Sequence, residues 1–310
     1  NVSNLTQKGT KCDVYFKEGM SAKNIILAEK DIQTRNDFST TVTEETTGVI
    51  YETTDWKGTS YYFAGAPTDN WVRFGKYYWR IIRINGDGSV RLIYNGTSTT
   101  TTGDGTMINN GAGQAFNSSY QSEYVGLKYT TGQQHGQTEN SYILIKLRSW
   151  YTSSNLDDYV KYIDSIVGFC SDREMASGSS WSSRPSSTIY YAAYERLNTN
   201  KSPSLACSSS DIIVEPVGLI TADEVSFAGG VYGVKNINYY LYNNQYYWTM
   251  SPYYFGSDGS NNYYLFPDGS FSSESVQLTF GIRPVINLSA DVTLSGRGTS
   301  TDPYVVEGAA

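Results

Sequence analysis

The segment from Tyr77 to Tyr94 constrains the fold more than any other part of the sequence. Two runs of mainly aromatic and β-branched residues, 77–84 and 89–94, flank the tetrapeptide Asn-Gly-Asp-Gly at 85–88. Such runs favour strands, and an Asn-Gly turn between them is a strong signal for a hairpin. We therefore predict a hairpin in a β-rich core. Asp87 is interpreted as a turn residue, because a calcium-binding EF-hand loop needs about twelve residues.

Helices are predicted to be few and short. Thr221 and Glu224 have the T-x-x-E spacing of a capping box, in which each side chain satisfies a backbone N–H of the other residue. Gly229 supplies the left-handed residue that ends such a helix. The spacing of apolar residues predicts a helix at 142–151, and two further short helices are expected at 157–163 and 189–197.

The remainder of residues 46–306 is predicted to be strand and loop. Residues 246–252 are expected to form a strand that ends at Pro252, and residues 280–288 a closing strand. The predicted fold class is therefore α+β, with mixed antiparallel sheets, a few short helices and much irregular loop.

The composition excludes several classes of protein. Charged residues make up only 17% of the 310 residues, whereas about a quarter is usual, and the chain has 28 tyrosines. A net charge of −7 argues against nucleic acid as a partner, since phosphates require a basic surface. An aromatic content of 15% argues against disorder, and no apolar run approaches the roughly 20 residues of a transmembrane helix. We therefore expect no nucleic-acid partner and no transmembrane segment in this chain.

Residues 1–45 differ from the rest of the chain. They are rich in lysine and contain one short apolar run at 25–27. We interpret 1–45 as an N-terminal extension or a linker to an anchor, and 46–310 as the main domain. The alternative is that 1–45 contribute a strand to the main core.

Three cysteines, Cys12, Cys170 and Cys207, allow three different single disulfides, and the sequence does not choose among them. Cys170 and Cys207 flank one serine-rich segment, which favours this pair in an oxidising compartment. Cys12 would then be a free thiol, and three buried thiols are the alternative.

The sequence offers little support for catalysis. The only histidine, His135, lies in a Gly/Gln-rich segment, and one histidine with three dispersed cysteines cannot form a zinc site of known spacing. Three carboxylate pairs could in principle act as acid and base: Asp223 with Glu224, Asp157 with Asp158, and Asp172 with Glu174. Helix capping and the helix dipole explain the first pair, and the third is interpreted as a surface ion-pair cluster. We predict no catalytic residues and no enzyme.

Tyrosine and asparagine are concentrated in residues 232–271. Tyrosine provides a large contact area at low entropic cost, and asparagine adapts its hydrogen bonds, as in antibody paratopes. The predicted ligand-binding residues are Tyr239, Tyr242, Trp248, Tyr253, Tyr254, Asn261, Tyr263 and Tyr264. Of these, Tyr253, Tyr254, Tyr263 and Tyr264 are expected in an exposed loop. The alternative is that tyrosines in this region fill positions of a sheet.

Three segments resemble the formylglycine-generating-enzyme branch of the C-type lectin-like fold. They are Leu-Ile-Thr-Ala-Asp-Glu-Val at 219–225, Tyr-Trp-Thr-Met-Ser at 247–251 and Gly-Ile-Arg-Pro-Val at 281–285. Residues 78–89 and 298–304 resemble uncharacterised surface proteins of Gram-positive gut bacteria. The resemblance spans residues 60–306 and implies that 46–310 form a C-type lectin-like domain with a rigid core and variable loops.

The same resemblance bears on activity and on cofactors. Enzymes of that branch use two cysteines of the C-terminal core, but no cysteine follows Cys207 here, so their activity is not implied. Calcium is the one metal with support, because such folds often bind it and because loop Asp, Asn and backbone oxygens suit it. No calcium ligand is named by the sequence, and no other cofactor is expected.

These features together suggest where the protein acts. The low charge and the abundant Tyr, Asn, Ser and Thr are typical of secreted bacterial proteins, and the polar start at Asn1 suggests a trimmed ectodomain. We expect an extracellular protein on a bacterial cell surface that binds a glycan, or a host or bacterial protein, through aromatic loops. The alternative is a self-assembling structural subunit of a pilus or surface layer. A degenerate formylglycine-generating or other enzyme is the third hypothesis.

Overall fold

The computed structural model describes residues 20–133, 136–181, 186–257 and 259–309. The strands are Asp31–Gln33 (β1), Val49–Asp55 (β2), Gly58–Tyr62 (β3), Trp71–Phe74 (β4), Tyr77–Ile84 (β5), Val90–Tyr94 (β6), Gln114–Ala115 (β7), Lys128–Tyr129 (β8), Glu139–Asn140 (β9), Phe169–Cys170 (β10), Ile189–Tyr190 (β11), Ile212–Ile213 (β12), Tyr247–Phe255 (β13), Ser260–Leu265 (β14), Phe271–Ser275 (β15), Thr279–Phe280 (β16), Val285–Leu288 (β17), Leu294–Ser295 (β18) and Tyr304–Val306 (β19). The α-helices are Ala22–Leu27 (α1), Tyr142–Ser153 (α2), Ala192–Tyr194 (α3) and Ala222–Phe227 (α4). Short 3-10 helices cover Gly103–Thr106, Ile108–Gly111, Ser122–Tyr124, Leu156–Tyr162 and Ser209–Asp211, and a π-helical turn covers Glu195–Thr199.

Strand β5 is the centre of the larger sheet. Its first half pairs with β4, its last two residues pair with β3, and its other edge pairs with β6. The β5–β6 pair is the predicted hairpin. The sheet runs in the order β1-β2-β3-β5-β4-β19-β18, and β17 is added alongside β6. Two of its strand pairs, β1–β2 and β4–β19, are parallel, and the sheet is otherwise antiparallel. The predicted α+β class with mixed, mainly antiparallel sheets is confirmed.

The smaller sheet has the order β11-β13-β14-β15. Strand β13 continues through Pro252 to Phe255, so the prediction that this strand ends at Pro252 is wrong. The β13–β14 register shifts on both sides of Pro252. A proline cannot donate a ladder hydrogen bond and is tolerated at such irregularities.

The predicted helices are present with changes at their ends. Helix α4 has the predicted capping box: Thr221 Oγ1 accepts from the Glu224 N–H at 3.1 Å, and the Thr221 N–H donates to Glu224 Oε2 at 2.9 Å. Helix α2 begins where predicted, and the second helix is a 3-10 helix over Leu156–Tyr162. In the segment predicted as helix at 189–197, the first two residues instead form β11.

The described part of the predicted N-terminal extension packs on the core. Ala22 and Ile26 are fully buried, and the Ala22 N–H donates to the carbonyl of Val292 at 2.9 Å. Strand β1 extends the larger sheet through β2. Residues 20–45 therefore fit the alternative that this segment belongs to the main core. Residues 1–19, with Cys12, lie outside the described residues.

Cys170 and Cys207 form the disulfide that the sequence favours, with their Cα atoms 5.9 Å apart. Cys170 ends β10, which pairs with β12 just beyond Cys207. The bond therefore closes the long segment between the two short strands. In the described ranges, no helix is long and apolar enough to cross a membrane.

Reduction of this disulfide is expected to lower the free energy of unfolding by about 4 kcal/mol, because the bond closes a loop of 37 residues in the unfolded chain. Urea denaturation with and without reductant measures the difference. A Cys170→Ser, Cys207→Ser double variant should match the reduced protein and show no further response to reductant. Equal stability of the oxidised and reduced forms would contradict the prediction.

Candidate functional site

Three of the predicted ligand-binding residues belong to the core. Trp248 and Tyr263 have no exposed surface, and Tyr264 is 4% exposed. Trp248 Nε1 donates to the carbonyl of Gln114 at 2.9 Å, and the Tyr263 hydroxyl donates to Asn198 Oδ1 at 3.0 Å. All three lie on β13 and β14 of a packed sheet, so the prediction that Tyr263 and Tyr264 lie in a loop is wrong, whereas Trp248 lies in a strand as predicted.

Tyr253, Tyr254 and Asn261 are half-buried on the same two strands. The Tyr253 hydroxyl accepts from Asn198 at 3.2 Å, and its ring stacks on Tyr232 at 6.1 Å. Asn261 lies opposite Tyr254 in the β13–β14 ladder. The expected exposed loop is therefore a sheet whose tyrosines contact one another, as the alternative interpretation held.

Tyr239 lines two open pockets, and Tyr242 lines one of them. Because the two pockets share four lining residues, we call them together the Arg80 cleft and refer to each pocket as a lobe. The Thr102 lobe has a volume of about 460 Å³, and the Glu45 lobe about 570 Å³. Both lobes are lined by Trp71, Arg80, Tyr239 and Tyr240. The Thr102 lobe adds Tyr242, Asn95, Asn243, Asn244, Thr99, Thr101, Thr102, Gly103 and Thr106, and the Glu45 lobe adds Thr43, Glu45, Ala66, Pro67, Thr68, Asn238 and Ser300. The walls therefore combine hydroxyl and amide groups with aromatic and aliphatic surface.

The chain that follows β6 forms a wall of the Thr102 lobe. Gly96 has a φ of +95°, and a Cβ there would clash with the side chain of Thr101, so the turn requires glycine. Thr106 Oγ1 donates to the carbonyl of Gly103 at 2.7 Å and accepts from Asn243 Nδ2 at 3.0 Å. Asn243 thereby ties this wall to the segment that carries Tyr239 and Tyr242.

Arg80 is the central charged group of the cleft, and it is only 8% exposed. Its Nε donates to Asn70 Oδ1 at 2.6 Å, and its Nη2 donates to the carbonyl of Pro67 at 2.7 Å. Its Cζ lies 4.3 Å from the ring centre of Trp71 and 5.5 Å from that of Tyr240, within cation–π range. Burial, with repulsion from Arg283, lowers the pKa of Arg80 to about 9, so the guanidinium stays charged at neutral pH.

Tyr240 lies beside Arg80 and is 7% exposed. Its hydroxyl oxygen is buried and has no hydrogen-bond partner among the described residues. Burial raises the pKa of this hydroxyl well above its usual value, so it stays protonated and can donate. Unpaired buried donors are uncommon in folded proteins, and the Tyr240 hydroxyl is one of several such atoms in the described residues.

The carboxylates considered as catalytic pairs are placed elsewhere. Glu224 Oε1 lies 2.9 Å from Arg83 Nε and 2.7 Å from Arg91 Nε, and all three side chains are buried. Asp223 and Asp172 both pair with Arg196, at 2.7 and 2.6 Å. The space beside these groups measures about 10 Å³, room for about one water molecule. This cluster therefore neutralises buried charge and does not line a ligand cleft.

The remaining carboxylates of the proposed pairs differ in their exposure. Asp157 and Asp158 are exposed. The prediction that Asp172-Arg173-Glu174 is a surface ion-pair cluster is wrong for Asp172 and Arg173, which are buried. In the part of the chain that the structure describes, no group of three or more His, Cys, Asp or Glu side chains could hold a metal ion. His135 and Asp258 lie outside it.

Comparison of this chain with protein-family models, with curated proteins and with solved structures finds no match in any of the three.

Sequence reasoning missed the part of the cleft that comes from the first third of the chain. One signal was present: Arg80 interrupts an otherwise mainly apolar strand and is predicted to be buried by the pattern of its neighbours. A buried arginine needs partners, so its position marks either an ion pair or a site.

Replacing Glu224 with glutamine should destabilise the protein by about 3 to 5 kcal/mol, because it leaves Arg83 and Arg91 without their shared carboxylate. Glutamine can still complete the capping box, so helix capping is preserved. Burial raises the pKa of Glu224, but attraction to Arg91 and Arg83 outweighs this effect and holds the pKa below 4.5. The stabilisation is therefore present above pH 4.5 and is lost as the pH falls through that lowered value.

Urea denaturation between pH 3 and 7 measures both effects. The Glu224→Gln variant should lose less stability than the wild type as the pH drops, and the exposed Glu174→Gln should behave as the wild type does. Parallel pH profiles for wild type and Glu224→Gln would contradict this role.

Replacing Tyr240 with phenylalanine should leave the free energy of unfolding unchanged or slightly higher, because no internal hydrogen bond is lost. The control is Tyr247→Phe, which removes the hydrogen bond from the Tyr247 hydroxyl to the carbonyl of Leu241 and the one it accepts from Arg283 Nη1, and should cost about 1 to 3 kcal/mol. Thermal unfolding compares the two variants. Equal destabilisation would show that the Tyr240 hydroxyl has a partner within the protein.

Proposed function

We propose that this protein is an extracellular binding protein of a bacterial cell surface, with a C-type lectin-like fold, that holds a saccharide in the Arg80 cleft. The observation that carries the proposal is the cleft itself. Its lobes combine hydroxyl and amide walls with the rings of Trp71, Tyr239 and Tyr240. Saccharides present hydroxyl groups at their edges and C–H groups on their faces, and such walls match both.

The dimensions of the cleft support a small oligosaccharide. Each lobe lies within the range of about 300 to 1,000 Å³ found for small-molecule sites. The two lobes share four lining residues, so neighbouring sugar units could occupy them together. Tyr242 is half-buried at the Thr102 lobe and offers more ring surface than the three shared aromatic residues.

The fold and location rest on other features. The β5–β6 hairpin, the capped helix α4 and the Arg283-bearing segment before β17 support the lectin-like assignment. A disulfide supports an oxidising compartment, such as the cell exterior. The proposed contact surface moves from the predicted tyrosines of β13 and β14 to the segment 238–244, because the former pack in a sheet.

Replacing Tyr242 with alanine should weaken saccharide binding about tenfold, which corresponds to a lost aromatic contact of roughly 1.4 kcal/mol. The measurement is binding to a glycan array, followed by calorimetry with the best saccharide. Tyr142→Ala is the control, since Tyr142 is 45% exposed and does not line the cleft. Equal affinities for the wild type and Tyr242→Ala, with both folded, would contradict the proposed site.

A further inference from the structure

The arginines of this protein differ in how fully their charge and their five N–H donors are satisfied. Arg83, Arg91 and Arg196 each pair with a carboxylate. Arg283 has no carboxylate partner among the described residues but donates from Nε, Nη1 and Nη2 to three carbonyl contacts, to Asn95 Oδ1 and to the Tyr247 hydroxyl. All its nitrogens are therefore in use within the protein.

Arg80 is different from these arginines. It donates two hydrogen bonds, from Nε and Nη2, to neutral oxygens, and within the described chain its Nη1 makes none. A guanidinium has five N–H donors, so three remain. No described carboxylate lies within ion-pair distance of it. A buried charge without a counter-charge is costly, and such cost is retained where a ligand supplies the missing charge.

The charges around Arg80 favour an anion in one lobe. Asp69 is the nearest described carboxylate in electrostatic terms, but its Oδ2 already pairs with Lys30 at 2.6 Å. Arg283 repels the charge of Arg80 but is not among the residues that line the Thr102 lobe. Glu45 lines only the other lobe, and Arg80 is the one charged side chain among the described residues that line the Thr102 lobe. The lining of this lobe therefore carries one charge, which is positive, and the exposed Asp104 of the same wall is not part of that lining.

We propose that the Thr102 lobe binds the carboxylate of an acidic saccharide, with Arg80 as the residue that selects it. Building on the proposed saccharide-binding function, this names the class of saccharide. Nη1 and the remaining Nη2 N–H are the donors left for the two oxygens of a carboxylate. A single cation balances one negative charge, whereas a phosphate monoester carries about −1.5 to −2. The Tyr240 ring, whose centre lies 5.5 Å from the Arg80 Cζ, lines the same lobe.

The test compares acids with their own esters. The probes are a tetramer of galacturonate and a sialyllactose, each as the free acid and as the carboxyl methyl ester, measured by calorimetry against the full chain at low and physiological salt. The ester keeps the shape of the sugar and removes its charge. We expect at least one acid to bind ten- to a hundredfold more tightly than its ester, about the range of a charge-assisted hydrogen bond, and to weaken with salt.

Variants locate the effect at Arg80. Arg80→Gln should abolish the difference between acid and ester, and Arg80→Lys should restore part of it, since lysine keeps the charge but lacks the fork. Tyr242→Ala should weaken acid and ester by the same factor. If Arg80→Gln does not fold, the acid–ester comparison on the wild type and on Arg80→Lys still decides.

The outcomes separate this inference from the function on which it rests. Equal affinity for each acid and its ester overturns the carboxylate inference and leaves saccharide binding standing. Binding of neutral saccharides from the array, with no binding of either acid, does the same. Absence of binding to every saccharide overturns both. An acid–ester difference that persists in folded Arg80→Gln assigns recognition to another residue and overturns the role of Arg80.

Discussion

The structure depends on one carboxylate, that of Glu224, which lies between two buried arginines. Arg83 and Arg91 are directly opposite each other on β5 and β6, an arrangement of like charges that destabilises a strand pair on its own. Glu224 approaches both Nε atoms within 3 Å and is held in place by the capping box of α4. The central hairpin therefore depends on the packing of α4 against the larger sheet. The Glu224 carboxylate both caps α4 and neutralises the two arginines of the hairpin.

Strand β5 carries two buried arginines, of which one pairs with carboxylates and the other does not. Arg83 is matched twice, by Glu224 and by Asp55 at 2.6 Å, whereas Arg80 is matched by neutral oxygens and by the rings of Trp71 and Tyr240. The register of β5 and β6 shifts between Ile81 and Arg83, and Arg80 itself pairs with Trp71 on β4. The chain thus keeps one arginine inside a closed cluster and presents the other to an open cleft, three residues apart.

Local signals in the sequence predicted local structure well. The Asn-Gly turn, the T-x-x-E box and the cysteine pair each specify an interaction between residues close in the chain or in one segment, and each is present. The site could not be obtained in this way, because Arg80 and Tyr240 meet only after the sheet forms. Tyrosine content was misleading for the same reason: Tyr263 and Tyr242 look alike in the sequence, but β14 buries one and the cleft admits the other.

Low overall charge makes a single arginine more effective. Salt and mobile counter-charges weaken an exposed guanidinium, but Arg80 is largely buried, and the Thr102 lobe contributes only hydroxyl, amide and aromatic groups around it. In such surroundings a charge interacts more strongly with a partner, and leaving it unpaired costs more free energy. Neutral walls around one unmatched cation therefore discriminate between an acid and its uncharged analogue better than a wall of many charges would, because no other charged side chain lines the Thr102 lobe.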